Sequence, residues 1–139
     1  HNHLRNSLIP SLMKNLKDNQ HHEFPQNIFE IGRTFNHDKK EETGIKEKKN
    51  LSVLLCHEKT DFTEIKQIID VLMVSLGLEY CVKESKDPSH IKGRVGDIVV
   101  KNKVIGTIGE ISPTVLEQWA LMVPVVTFEL NLEQLFKLI

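Results

Sequence analysis

A chain of 139 residues, 40% hydrophobic and 27% charged, can bury a core and has the make-up of a soluble globular protein. Its formal net charge of -1 argues against a module that grips RNA unaided, because neutralising phosphates needs surplus Lys and Arg. The longest apolar runs fall far short of the roughly 20 residues of a membrane span, and the polar stretch from His1 to Ser11, broken by Pro10, is not read as a signal peptide.

The first predicted element is a helix from Ser7 to Asp18. Leu8, Leu12 and Leu16 recur every fourth residue with Ile9 and Met13 beside them, Ser7 can cap the start, and Pro10 is tolerated in the first turn. Asn27 to Phe35 alternates in strand fashion. Asn36 to Lys49, polar and charged, is expected to be a solvated hairpin loop, and Asn50 to Cys56 returns as the second strand. The clearest helix follows, with Phe62, Ile65, Ile69, Leu72 and Leu76 stacked on one face. Asp61 and Glu64 hold the positions of a capping box, with Asp in place of the usual Ser or Thr, and Gly77 supplies the left-handed stop.

Beyond Gly77, Leu78 to Lys83 is read as a short strand and Asp87-Pro88 as a loop. Gly96 to Val100 and Lys103 to Ile111 are predicted strands around a turn at Asn102-Lys103, imperfect because Lys lacks the freedom of Gly. Ser112 then caps a short helix with Pro113 at its first position, running to about Trp119. Val125 to Leu130 is the last strand, and Leu132 to Ile139 begins a helix within which the chain stops. Hairpin-connected strands with helices between them favour an α+β fold, an antiparallel sheet with helices packed on it, and nothing in residues 1–139 asks for a second domain.

Most signals of chemistry are missing. There is no Walker loop and no G-x-G-x-x-G, and Gly106 and Gly109, three apart in a strand, are read as sites of close packing. Seven histidines suggest a metal, but His21 and His22 are adjacent and no Cys or second His stands at a zinc-like spacing. His57-Glu58 opens like a metalloprotease helix, yet Asp61 stands where the second His belongs, and the string from His1 to His3 resembles a nuclease label only in letters. No local nucleophile signature occurs. Cys56 and Cys81, both in apolar strand-like stretches, are read as reduced core thiols; whether they could pair depends on their separation.

Four stretches carry a resemblance: LRNSLIP from Leu4, FPQNIFEIG from Phe24, GTIGEISP from Gly106 and VPVVTFELNL from Val123. In this order and spacing they resemble the β subunit of phenylalanine–tRNA ligase of the archaeal or eukaryotic type, in its C-terminal synthetase-like domain. The resemblance implies a class II aminoacyl-tRNA synthetase-like antiparallel sheet flanked by helices, here truncated. It implies a cytoplasmic heterotetramer of two α and two β chains that attaches phenylalanine to its tRNA with ATP and magnesium, the active site lying in the α chain. The expected partners are therefore the α subunit, a second β subunit and, through the holoenzyme, the tRNA for phenylalanine; no membrane is involved.

The same resemblance can be tested against the chemistry that class II enzymes need. Their second signature ends its first strand in an Arg that pairs with the α-phosphate. Gly32-Arg33-Thr34-Phe35-Asn36 resembles that stretch and puts Asn36 at the Arg position, while Arg33 lies two residues away along the strand. The third signature, Gly-x-Gly-x-Glu-Arg, corresponds to Glu129-Leu130-Asn131-Leu132-Glu133-Gln134. Glu129 and Asn131 replace both glycines and Gln134 replaces the Arg. A carboxylate about 4 Å from a phosphate would cost roughly 4 kcal/mol at an effective dielectric near 20. Asn36, Glu129, Asn131 and Gln134 are thus expected to be degenerate counterparts of catalytic positions, leaving no catalytic, cofactor-binding or metal-binding residue. The fold is kept without the chemistry, and the fragment alone should be inactive.

Asn36 to Lys49 also corresponds to the loop with which class II enzymes touch the tRNA acceptor end, a contact weakened by loss of the Arg. The first signature, a long interface helix, would precede Leu4; its absence and the missing initial Met read as a fragment or processed product. The alternative function is an RNA-binding or nucleotide-binding module derived from a class II ligase.

Overall fold

The structure, a computed structural model, describes residues 6–20 and 22–139. Expectations resting on His1 to Arg5 and on His21 lie outside the described residues. The elements in chain order are α1 (Ile9–Asp18), β1 (Gln26–His37), β2 (Ile45–Cys56), α2 (Phe62–Leu76), β3 (Cys81–Glu84), β4 (His90–Val100), β5 (Lys103–Ile111), α3 (Pro113–Gln118), β6 (Val125–Asn131) and α4 (Leu132–Lys137). The strands form one six-stranded sheet in the order β1-β2-β6-β5-β4-β3, with every neighbouring pair antiparallel. β6, last in sequence, inserts between β2 and β5 and therefore occupies the middle of the sheet.

Side chains alternate across that sheet and create two cores of different character. On one face Phe128 and Leu130 of β6, with Ile105 and Ile108 of β5 and Ile98 of β4, meet Ile65, Ile69 and Met73 of α2 and Leu132 and Leu135 of α4. On the other, Leu54 and Cys56 of β2, Val125 of β6 and Ile111 of β5 meet Leu12, Met13 and Leu16 of α1. Helix α2 has the predicted bounds. Asp61 accepts from the Glu64 amide at 3.0 Å, and Gly77 closes the helix at φ 69°. The capping box is only half made, because the Glu64 carboxylate turns to His57, at 2.7 and 2.8 Å, instead of back to the cap. Met73 is buried where Leu72 was expected; Phe62, Leu72 and Leu76 are partly buried at the rim.

Several boundaries differ from expectation. Half of the presumed hairpin loop is strand: β1 runs to His37 and β2 starts at Ile45, so only residues 38–44 form the connection. Both flanks are polar there, which hides the alternation, and cross-strand pairs such as Arg33–Glu47, 2.9 Å apart, support them. Helix α1 starts at Ile9, two residues late, and no side-chain hydrogen bond comes from its own N-cap, Leu8. The β4–β5 turn sits one residue earlier than predicted, with Lys101 at φ 49° and Asn102 at φ 65°, the two positive values a type I′ turn requires. β4 starts at His90 rather than Gly96, because a register shift between His90 and Val95 interrupts the alternation. β3 starts at Cys81, and α4 ends at Lys137, inside the chain.

Cys56 is buried, as expected, but Cys81 is exposed on the short edge strand; both are free thiols. They stand on strands four positions apart in the sheet, roughly 19 Å at about 4.8 Å per strand, far beyond disulfide reach.

Candidate functional site

The sheet face that carries α1 is apolar beneath the helix and polar beyond the helix's first turn. Asn50 faces Asn131 and Ser52 faces Glu129 across the β2–β6 pair, and Thr107 faces Glu129 across β5–β6. Thr34, Asn50, Ser52, Thr127 and Glu129 are all buried in this region. Thr34 Oγ1, Asn50 Oδ1 and Thr127 Oγ1 have no hydrogen-bond partner. Unmatched polar atoms on one face are unusual in a core and mark it as more than packing.

Glu129 organises this face. Its Oε1 accepts from Ser7 Oγ at 3.1 Å and from the Leu8 amide at 2.9 Å, and its Oε2 accepts from Asn50 Nδ2 at 2.8 Å. Ser7 Oγ in turn accepts from the Ile9 amide at 3.1 Å. The expected Ser7 cap is thus present at the amino end of α1, and a carboxylate from the centre of the sheet joins it where the helix dipole favours negative charge. No cationic side chain pairs with Glu129 among the described residues. The clasp joins residues more than 120 positions apart in the chain, |i−j| being 121 for Leu8 and Glu129, so no local pattern could have signalled it.

The four positions singled out from the sequence converge. Asn36, Glu129, Asn131 and Gln134 all line one cavity of about 210 Å³, together with Thr34 and Lys48. With its amide oriented to satisfy both neighbours, Asn36 donates to the Phe35 carbonyl and accepts from Lys48 Nζ, each at 3.1 Å. The Asn131 side chain is committed to capping α4, accepting from the Gln134 amide at 3.1 Å. Arg33 points away on the other face, paired with Glu47 and largely exposed. Sequence reasoning missed Lys48, the one basic residue among the described lining residues, because it was placed in a loop. Gly106 and Gly109 are packing glycines, as expected. A Cβ at Gly106 would stand 2.1 Å from the Glu129 carbonyl oxygen, and one at Gly109 would stand 2.8 Å from the His90 ring.

A depression of about 750 Å³ lies away from this face, between the segment containing Phe24 and the start of α2. Its His57 and Glu64 satisfy one another, and no cluster of three or more metal-ligating side chains occurs among the described residues. Nor is any helix among them long and apolar enough to cross a membrane.

An antiparallel sheet entered by hairpins, with helices on both faces and a polar cavity at the β6–α4 junction, is the fold of the class II aminoacyl-tRNA synthetases. A pyrrolysyl tRNA synthetase from Desulfitobacterium hafniense superposes on it with a TM-score of 0.75 over 95% of this chain and 48% of that one, at 17% identity. Residues 1–132 match the phenylalanyl tRNA synthetase beta chain CLM domain, and the chain belongs to that family. Phenylalanine–tRNA ligase beta subunits from Thermococcus gammatolerans and Thermococcus kodakarensis are 46% and 47% identical over 133 residues, 96% of this chain and 23% of each relative. The subunit from Methanocella arvoryzae is 40% identical over 137 residues, 97% of this chain and 25% of its own length. The chain therefore spans about a quarter of these relatives.

Proposed function

We propose that residues 1–139 are one domain, the non-catalytic synthetase-like part of a cytoplasmic phenylalanine–tRNA ligase β subunit. It supports ATP-dependent attachment of phenylalanine to tRNA by an α subunit, within an assembly of two α and two β chains. The observation that carries this reading is the Glu129 clasp. The place where class II chemistry needs open backbone and a phosphate-binding Arg holds a buried carboxylate fastened to α1, with Asn36 and Gln134 at the two Arg positions. The cavity, about 210 Å³, is below the roughly 300–1,000 Å³ usual for small-molecule sites. These residues do not fit a magnesium-bound triphosphate.

Assembly gains support from apolar surface that the domain leaves uncovered. Phe29 is 69% and Ile31 52% exposed on one face of the edge strand β1, and Val71 and Val74 are exposed on α2. Such patches on a globular domain favour burial against a partner.

The decisive experiment has two arms on the same chain. ATP titrated by calorimetry should bind no better than about millimolar, or −4.1 kcal/mol, and phenylalanine-dependent pyrophosphate exchange should be absent. In sedimentation, the chain should self-associate or join an added α subunit. Micromolar ATP binding with exchange would refute the non-catalytic reading, and a strictly monomeric chain indifferent to the α subunit would refute the assembly role.

A further inference from the structure

On the other side of Glu129 from the degenerate site lies a second, larger cavity of about 610 Å³, bounded by the start of α1, the β3–β4 connection and the end of α3. Its walls are apolar at Ile9, Met13, Val115 and Trp119. Its charged lining residues are Asp87 and Glu129, with no Lys or Arg among them. Glu129 accepts two hydrogen bonds from the start of α1 and one from Asn50 of β2, leaving about one of a carboxylate's four acceptor positions open, and no cationic side chain pairs with it among the described residues.

His90 provides the independent sign of a missing partner. Its side chain is only 2% exposed, it lines the same cavity, and neither ring nitrogen has a hydrogen bond. Asp87 Oδ1 stands 3.4 Å from Nδ1, too loosely placed to satisfy it. Burial lowers the imidazole's pKa more than nearby Asp87 raises it, so the ring is held neutral and keeps both a donor and an acceptor.

We propose that this cavity is a binding site for a small protonated amine with an apolar body, its ammonium answering the carboxylates and its body lying against Trp119. A rim that is acidic, with no Lys or Arg among its described residues, selects the charge, and the apolar wall selects the rest of the ligand. Anions, the triphosphate included, are repelled by the same arrangement. The site meets the smaller cavity at Asn6, Thr107 and Glu129 and does not depend on the assembly role, since it uses only side chains of this chain.

Trp119 is the chain's one tryptophan, so its fluorescence reports the cavity directly. The probes are benzylamine, benzyl alcohol and benzoate, added to the full chain at neutral pH. Benzylamine should shift Trp119 emission with a Kd below about 1 mM, and the alcohol and the acid should bind at least about tenfold more weakly, the ratio that one lost charge-assisted contact gives. Asp87→Asn retains an oxygen for the Ser89 amide, now accepted at 2.8 Å, and so should keep the fold. It should weaken benzylamine at least about fivefold while leaving benzyl alcohol unchanged. Equal binding of all three probes, an unaltered benzylamine affinity in Asp87→Asn, or no emission change at all would overturn the proposal. Circular dichroism of the variant, matched to wild type, distinguishes lost binding from lost structure.

Discussion

Removing the Glu129 carboxylate tests whether it holds the fold together. In Glu129→Ala the Leu8 amide, Ser7 Oγ and Asn50 Nδ2 all lose their acceptor. Hydrogen bonds to a charged group contribute about 1.5–3 kcal/mol each, so roughly 5–9 kcal/mol of gross interaction disappears. Against this stands the desolvation of a buried carboxylate with no cationic partner among the described residues, worth several kcal/mol and recovered on truncation. The net expectation is a loss of about 2–4 kcal/mol. Glu129→Gln should behave differently. Its carbonyl can still accept from Leu8 and Ser7, and Asn50 can rotate its amide to offer Oδ1, now unpartnered, to the new NH₂. That variant should lose only about 1 kcal/mol. Urea denaturation followed by circular dichroism measures both, and hydrogen exchange at Leu12, whose amide donates to the Leu8 carbonyl at 3.2 Å, reports whether α1 has come loose. If Glu129→Ala changes stability by less than about 0.5 kcal/mol, the level of surface sites, the clasp is not structural.

The other predictions concern the core and the titrating groups. Met73→Ala, at a site 1% exposed, should cost about 2–5 kcal/mol by urea titration, and Leu72→Ala, at the rim, clearly less; the reverse order would mean that α2 is rotated on the sheet. Gly106→Ala should destabilise by about 1–3 kcal/mol or more, because its methyl would meet backbone of β6 that has nowhere to move. Burial pushes the Cys56 thiol up to about 11, so maleimide at pH 8 should label one cysteine per native chain, Cys81, and both after unfolding, as mass spectrometry can count. With the folded pKa of His90 depressed, the unfolded chain binds the extra proton. Stability should therefore be fully present above the free value of 6.5 and fall as pH drops below it, and His90→Gln should flatten that slope.

What the sequence alone determined is whatever short-range periodicity and capping encode. Helix α2 was legible to the residue, because its apolar stripe, Asp61 and Gly77 all act within a few positions of one another. The antiparallel pairing of β1 with β2 followed from hairpin order, and the expectation that Asn36, Glu129, Asn131 and Gln134 are degenerate counterparts of catalytic positions came through the resemblance to the family's motifs rather than through any local chemistry. The polar outer half of the β1–β2 hairpin was not legible, since strands solvated on both faces lose the alternation by which strands are recognised. Tertiary structure alone decided which charge sits beside which. The placement of β6 at the centre of the sheet brings Glu129 to the start of α1 and to Asn50, and brings Asn36 and Gln134 to one cavity. Such contacts are fixed by sheet order and register across the whole chain, and no local window of sequence contains them.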